Sequence, residues 1–129
     1  MIVVDSAAVV DVLTAVEGTD ELRAHLSEQD LHAPMLLDFE IVSALRGLTL
    51  AGHMSPARAE DLLTDFADLP IQRWPSGDAF RRRAFQLRDN VSSYDAAYVV
   101  LAEALDCPLV TRDARLVRSS GHGAQIEVR

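Results

Sequence analysis

Short apolar runs alternate along the chain with longer segments in which apolar residues recur every three to four positions. Ile2-Val3-Val4 is a continuous apolar run that stops at Asp5, the pattern of a strand buried on both faces. Ser6 to Val16 has helical spacing through Ala7, Val10, Leu13 and Ala15, and ends near Gly18. Thr19 can cap a short second helix with Leu22 and Leu26 on one face. Leu31-His32-Ala33, before Pro34, predicts a brief second strand, and Met35 to Ala51 a long helix closed by Gly52. Ser55-Pro56 joins a capping residue to a proline at the first helical position, so a helix starts there and runs to about Asp68. Ile71 to Trp74 reads as a third strand, and Ser76 opens a helix through about Arg88. Ser92 or Ser93 caps a helix that reaches Leu105, and Pro108 to Thr111 is a fourth strand. Asp113 to Ser119 is a short helix and Ile126 to Val128 a last strand. Strands alternating with helices in this way argue for an α/β fold, with three α/β/α layers around a short, mainly parallel sheet. No repeat and no Pro/Gly/Ser-rich linker divides residues 1–129, which read as a single domain.

Composition narrows the class. Hydrophobic residues make up 49% of 129, enough for a packed core. No apolar run approaches the roughly 18 residues of a membrane span, and the N-terminus lacks the basic start of a signal peptide. Cys107 stands alone, which excludes a disulfide framework and a cysteine-based zinc site. The expected location is the reducing cytoplasm. Twelve basic residues against twenty acidic ones give a net charge of −8. Such a surface is a poor general binder of nucleic acid, whose phosphates are recognised by cations. A nucleic-acid substrate would therefore require local neutralisation of the acids. All the basic residues are arginine.

The candidate chemistry lies where a parallel sheet places it, beyond the carboxyl ends of the strands. Asp5 ends the first strand. Asp113 follows Thr111 at the end of the fourth. Asp95 falls in the first turn of the helix that leads into that fourth strand. Glu40 lies about five residues into the third helix, roughly 7–8 Å along its axis, and side chains on a helix tilt toward its start. All four acids can reach one crevice. Each also has a plainer reading. Asp5, Asp95 and Asp113 could serve as helix caps or first-turn acids. Glu40 sits among Leu36, Leu37, Phe39, Ile41, Val42, Ala44 and Leu45, so it must be paired, bind a metal, or lie on a narrow solvent stripe. Four carboxylates together repel one another, and hard divalent cations such as Mg²⁺ or Mn²⁺, which select oxygen ligands, resolve that repulsion. Two such ions can activate a water and stabilise the leaving oxygen of a phosphodiester. They also turn an acidic crevice into a site for phosphate.

Four segments carry a resemblance: Asp5-Ser6 after the first strand, Glu40 to Leu45, Tyr94 to Glu103, and Leu109 to Leu116. In this order and spacing, over the whole chain, they resemble PIN-domain proteins and most closely the VapC-type toxins of toxin–antitoxin pairs. The resemblance implies a PIN-like fold and a Mg²⁺- or Mn²⁺-dependent endoribonuclease. It matches Asp5, Glu40, Asp95 and Asp113 to the family's acidic quartet, both catalytic and metal-holding. Ser6 and Thr111 match supporting polar positions. It further implies an RNA substrate, a homodimer, and inhibition by a VapB-type antitoxin in a heterotetramer or larger complex. Ala7 and Ser43 depart from the family's usual hydroxyl residue and asparagine.

The remaining candidates are more ordinary. Arg112 flanks Asp113 and reads equally as a phosphate contact or as a surface ion pair; Arg115 and Arg118 are also near. Arg81, Arg82, Arg83 and Arg88 read mainly as a solvated helix face. Tyr94 and Tyr98 share a helix face and are expected in the core. His25, His32, His53 and His122 have no paired metal spacing and are expected at the surface or in loops. Two alternatives remain: a PIN-like binding partner with little nuclease activity, and a nuclease for structured DNA.

Overall fold

The computed structural model describes residues 1–129 and contains five strands and seven helices. The strands are β1 (Ile2–Val4), β2 (Leu31–Pro34), β3 (Ile71–Trp74), β4 (Leu109–Thr111) and β5 (Ile126–Val128). They form one sheet in the order β3-β2-β1-β4-β5, and every neighbouring pair is parallel. The expected sheet is thus wholly parallel. Val3 pairs with His32 on one side and Leu109 on the other. The chain builds outward from β1 in one direction, then returns to its other side with β4. The seam between β1 and β4 is therefore the point where strand order reverses, the place where parallel sheets open a ligand crevice.

The helices are α1 (Ser6–Leu13), α2 (Asp20–Ser27), α3 (Leu36–Leu50), α4 (Pro56–Asp68), α5 (Asp78–Gln86), α6 (Ser93–Leu105) and α7 (Ala114–Val117). Helices α1 to α4 pack on one another, α5 packs on α6, and α6 lies against β1, β2 and β4. The result is the three-layer α/β/α arrangement. Its core is continuous and apolar, and β1 and β4 are buried along their full length.

Several boundaries differ from the sequence pattern for local reasons. Helix α1 stops at Leu13 rather than Val16, because Ala15 and Gly18 adopt positive φ angles of 53° and 83° that no α-helix accommodates. The Thr19 hydroxyl does not cap α2; it donates instead to the Val16 carbonyl at 2.6 Å. Helix α5 begins at Asp78 behind an extended Gly77, two residues later than Ser76. Ser92, not Ser93, caps α6 by accepting from the Asp95 amide at 3.3 Å. His32 lies in β2 and is buried, contrary to the surface position expected for it. Its Nδ1 accepts from the Trp74 indole at 2.9 Å and its Nε2 lies 2.9 Å from Asp30, so both ring nitrogens find partners next to the core.

The long helix α3 is apolar on two faces. Leu37, Ile41 and Leu45 are buried, whereas Phe39, Val42 and Leu50, with Met35 at the N-cap, are exposed. Leu37→Ala should cost about 2–5 kcal/mol of stability, the range for truncating a fully buried leucine. Phe39→Ala should stay within about 0.5 kcal/mol. Urea denaturation of both variants checks this assignment of faces.

Candidate active site at the β1/β4 seam

Asp5 leaves β1 and becomes the N-cap of α1, with its Oδ1 accepting from the Ala8 amide at 2.9 Å. Its Oδ2 accepts from the Thr111 hydroxyl at the end of β4. The same hydroxyl accepts from the Asp113 amide at 2.9 Å. Thr111 is fully buried and so ties together the two strand ends that carry Asp5 and Asp113. The cap readings of Asp5 and Asp113 are correct as far as they go: Asp113 also caps α7, with Oδ1 2.9 Å from the Arg115 amide. Capping uses only part of each carboxylate.

Asp5 is 7% exposed. Burial pushes its pKa up to about 6, and the negative charges of Asp95 and Glu40 add to the rise. The bonds from Thr111 and Ala8 favour the ionised form but do not outweigh desolvation. Asp5 therefore senses the charges of both Asp95 and Glu40. Glu40 is half-buried and forms no ion pair with a base. Its Oε1 accepts from the Tyr98 hydroxyl at 2.5 Å, and Tyr98 is buried on α6. Burial and the bond to Glu40 both raise the Tyr98 pKa, so the phenol stays protonated and remains a donor. Ser6 lies against the same phenol oxygen. Tyr98 is thus a site residue that its sequence setting assigned only to the core. The signal was there: Asp95 and Tyr98 are three apart on one helix, hence on one face. Tyr94, by contrast, is 67% exposed and is not a core residue.

Asp113 lies beside this group. With Asp95, Asn90, Ser92, Arg115 and Arg118 it lines an open hollow of about 520 Å³ between the start of α6 and α7. The Arg115 guanidinium grips Asp113 with both arms, Nε to Oδ1 at 3.1 Å and Nη2 to Oδ2 at 2.9 Å. That pairing holds the Asp113 carboxyl below its usual range. Arg112 is occupied elsewhere: it donates to Asp11 at 3.0 Å and to the Arg129 carbonyl at 2.7 Å, which is its surface-ion-pair reading. Among the α5 arginines, Arg83 binds Glu103 through two bonds and ties α5 to α6, while Arg82 pairs with Asp78.

The four acids therefore meet at one edge, yet no three of them are gathered closely enough to clasp one ion as they stand. The physical reason is visible in the partners. Like charges separate, and Asp5, Glu40 and Asp113 each turn to the nearest protein donor, from Thr111, Tyr98 and Arg115. The donor set is still one that suits a hard cation: all-oxygen, net negative, and including a buried carboxylate whose ionisation is opposed by its acidic neighbours.

A PIN-domain family model matches residues 2–121. The chain is 37% identical to Ribonuclease VapC12 of Mycobacterium tuberculosis, over 99% of this chain and 98% of that protein. It is 42% identical to Ribonuclease VapC1 of the same organism, over 98% and 96%. The chain belongs to the VapC group of PIN-domain proteins. The fold agrees: VapBC2 from Rickettsia felis, crystallised with a DNA fragment from its promoter, superposes with a TM-score of 0.72 at 12% identity, over 99% of this chain and 98% of that one.

The Asp5 shift sets a pH dependence in metal-free buffer. The folded-state pKa lies above the unfolded value, so the fold favours the neutral carboxyl. That contribution is fully present below about pH 4 and is lost as pH rises through about 6. Two pKa units correspond to about 3 kcal/mol. The stability of wild type relative to Asp5→Asn should therefore fall by up to about that amount between pH 4 and pH 7. Denaturant melts of both proteins across that range measure it, and a constant difference would contradict the burial argument. Thr111→Val removes the hydroxyl that favours the ionised form and should raise the Asp5 pKa further, as read by carboxyl ¹³C titration.

Proposed function

We propose that this VapC-group protein is the toxin of a type II toxin–antitoxin pair and acts as a Mg²⁺- or Mn²⁺-dependent endoribonuclease. The observation that carries this reading is the convergence of Asp5, Glu40 and Asp95, with Asp113 alongside, at the β1/β4 seam of a chain related over its whole length to proteins named ribonucleases. Asp5, Asp95 and Asp113 would hold the principal ion, and Glu40 with Asp95 a second. Bound there, the ions supply an activated water and charge stabilisation for the leaving oxygen of an RNA phosphodiester. Asp5 contributes a buried carboxylate fixed by Thr111 and Ala8. Tyr98 fixes the orientation of Glu40 from the core. Arg115 and Arg118 place positive charge on the rim of the same hollow, where an RNA phosphate would lie. This local cation supply answers the net charge of −8.

The partners follow from the same reading. A VapB-type antitoxin would inhibit the enzyme, and a second copy would complete a homodimer. Apolar surface is available for both. One groove of about 270 Å³ is lined by Val9, Val12, Leu26, Leu31, Leu69 and Ile71. The other surface is the exposed stripe of Phe39, Val42 and Leu50 on α3, extended by Met35 at its N-cap. No helix is long and apolar enough to cross a membrane, which fits a toxin acting in the cytoplasm.

The test is cleavage of total cellular RNA by the purified, antitoxin-free protein, with Mg²⁺ or Mn²⁺ against chelator. Discrete fragments should form only with metal. Asp5→Asn and Asp113→Asn should keep the fold and lose more than the roughly 100-fold that loss of an outer-shell partner can cost. Tyr98→Phe should lose roughly 10- to 100-fold, as an orienting residue. Glu40→Gln should bind fewer metal ions than wild type. Equal cleavage by wild type and Asp5→Asn would overturn the assignment, and cleavage of structured DNA in place of RNA would redirect it.

A further inference from the structure

Two features of Arg115 stand out. Its side chain is 84% exposed, yet both arms of its guanidinium are committed to Asp113 rather than to solvent. Its backbone amide binds the same carboxylate, so Asp113 receives three bonds from one residue. Arg115 also senses the charge of Asp95 across the hollow. The guanidinium therefore engages both Asp113 oxygens on the wall of a hollow that Asp95 also lines.

We propose that Arg115 is a built-in counter-ion that holds Asp113 in the metal-free protein and competes with the divalent cation for that carboxylate. The inference rests on the metal-site reading above and adds a residue that gates its loading. The bidentate geometry makes this pair stronger than an ordinary surface ion pair, but its arginine stands in water, so solvent screens it and a competing charge can displace it. It satisfies Asp113 while no ion is bound and yields to a doubly charged cation that several carboxylates can share. The Arg115 side chain does nothing else that the fold depends on: its side-chain bonds all go to Asp113, and it is exposed. Arg118 lines the same hollow and carries the same charge, but makes no hydrogen bond or ion pair to Asp113. It therefore separates direct competition from a general positive field.

The experiment is Mn²⁺ titration by calorimetry of the full-length, antitoxin-free wild type, Arg115→Gln, Arg115→Lys and Arg118→Gln, with thermal melts of each metal-free protein as a fold check. Arg115→Gln should bind Mn²⁺ roughly three- to tenfold more tightly than wild type, from loss of the competing pair and of its repulsion of the ion. Arg115→Lys, which keeps the charge and loses the fork, should fall between them. Arg118→Gln should change affinity by less than about twofold. As a readout independent of affinity, the Arg115 Nε–H resonance of wild type should shift during Mg²⁺ titration as the pair opens. Equal affinities for wild type and Arg115→Gln would overturn the proposal, and so would an equal gain in Arg118→Gln. If none of the four proteins binds Mn²⁺, the metal-site reading fails with it; if all bind alike, only the role of Arg115 fails.

Discussion

Everything at this site depends on one buried contact, the Thr111 hydroxyl between the Asp5 carboxylate and the Asp113 amide. It closes the seam where β1 and β4 lie side by side and fixes two acids from distant parts of the chain in one place. The cost is electrostatic. A carboxylate that is almost fully buried, beside Asp95 and Glu40, resists ionisation. A fold could relieve this by replacing the acids with apolar residues. This chain instead keeps all four and gives three of them a protein donor each can lean on.

The arrangement of those partners explains how one small domain can be both stable and charged at its working edge. Asp5 is satisfied by a backbone amide and a buried hydroxyl, Glu40 by a phenol from the core, and Asp113 by an arginine from the turn that follows it. The first two hold their acids in position. The third is exposed and easily exchanged. Exposure therefore rises from Asp5, at 7%, to Asp113, whose side chain is 27% exposed beside the open hollow.

Much of this was legible in the sequence. The apolar run ending at Asp5 and the run ending at Thr111 fixed both strand ends, because strands buried on both faces leave a continuous apolar signature. The placement of Glu40 in an apolar helix signalled a carboxylate with a specific partner. The identity of that partner was not legible, since Tyr98 lies 58 residues away on another helix. The burial of His32 is not legible, because a short strand with one histidine and a proline gives little periodic signal and its bond from Trp74 spans 42 residues. Arg112 and Arg115 are equivalent as letters near Asp113. Only the backbone turn after β4 decides that Arg115 reaches the acid and Arg112 reaches α1.

Burial and neighbouring acids oppose ionisation at the seam, and we propose that a divalent cation relieves that opposition. Thermal melting of the wild type across neutral pH, with chelator and with saturating Mg²⁺ or Mn²⁺, tests it most directly. The ion should raise the melting temperature, its effect should grow as pH rises through about 6, and Asp5→Asn should abolish most of it. A melting temperature indifferent to divalent cations at pH 7 and above would mean that the seam holds no such ion.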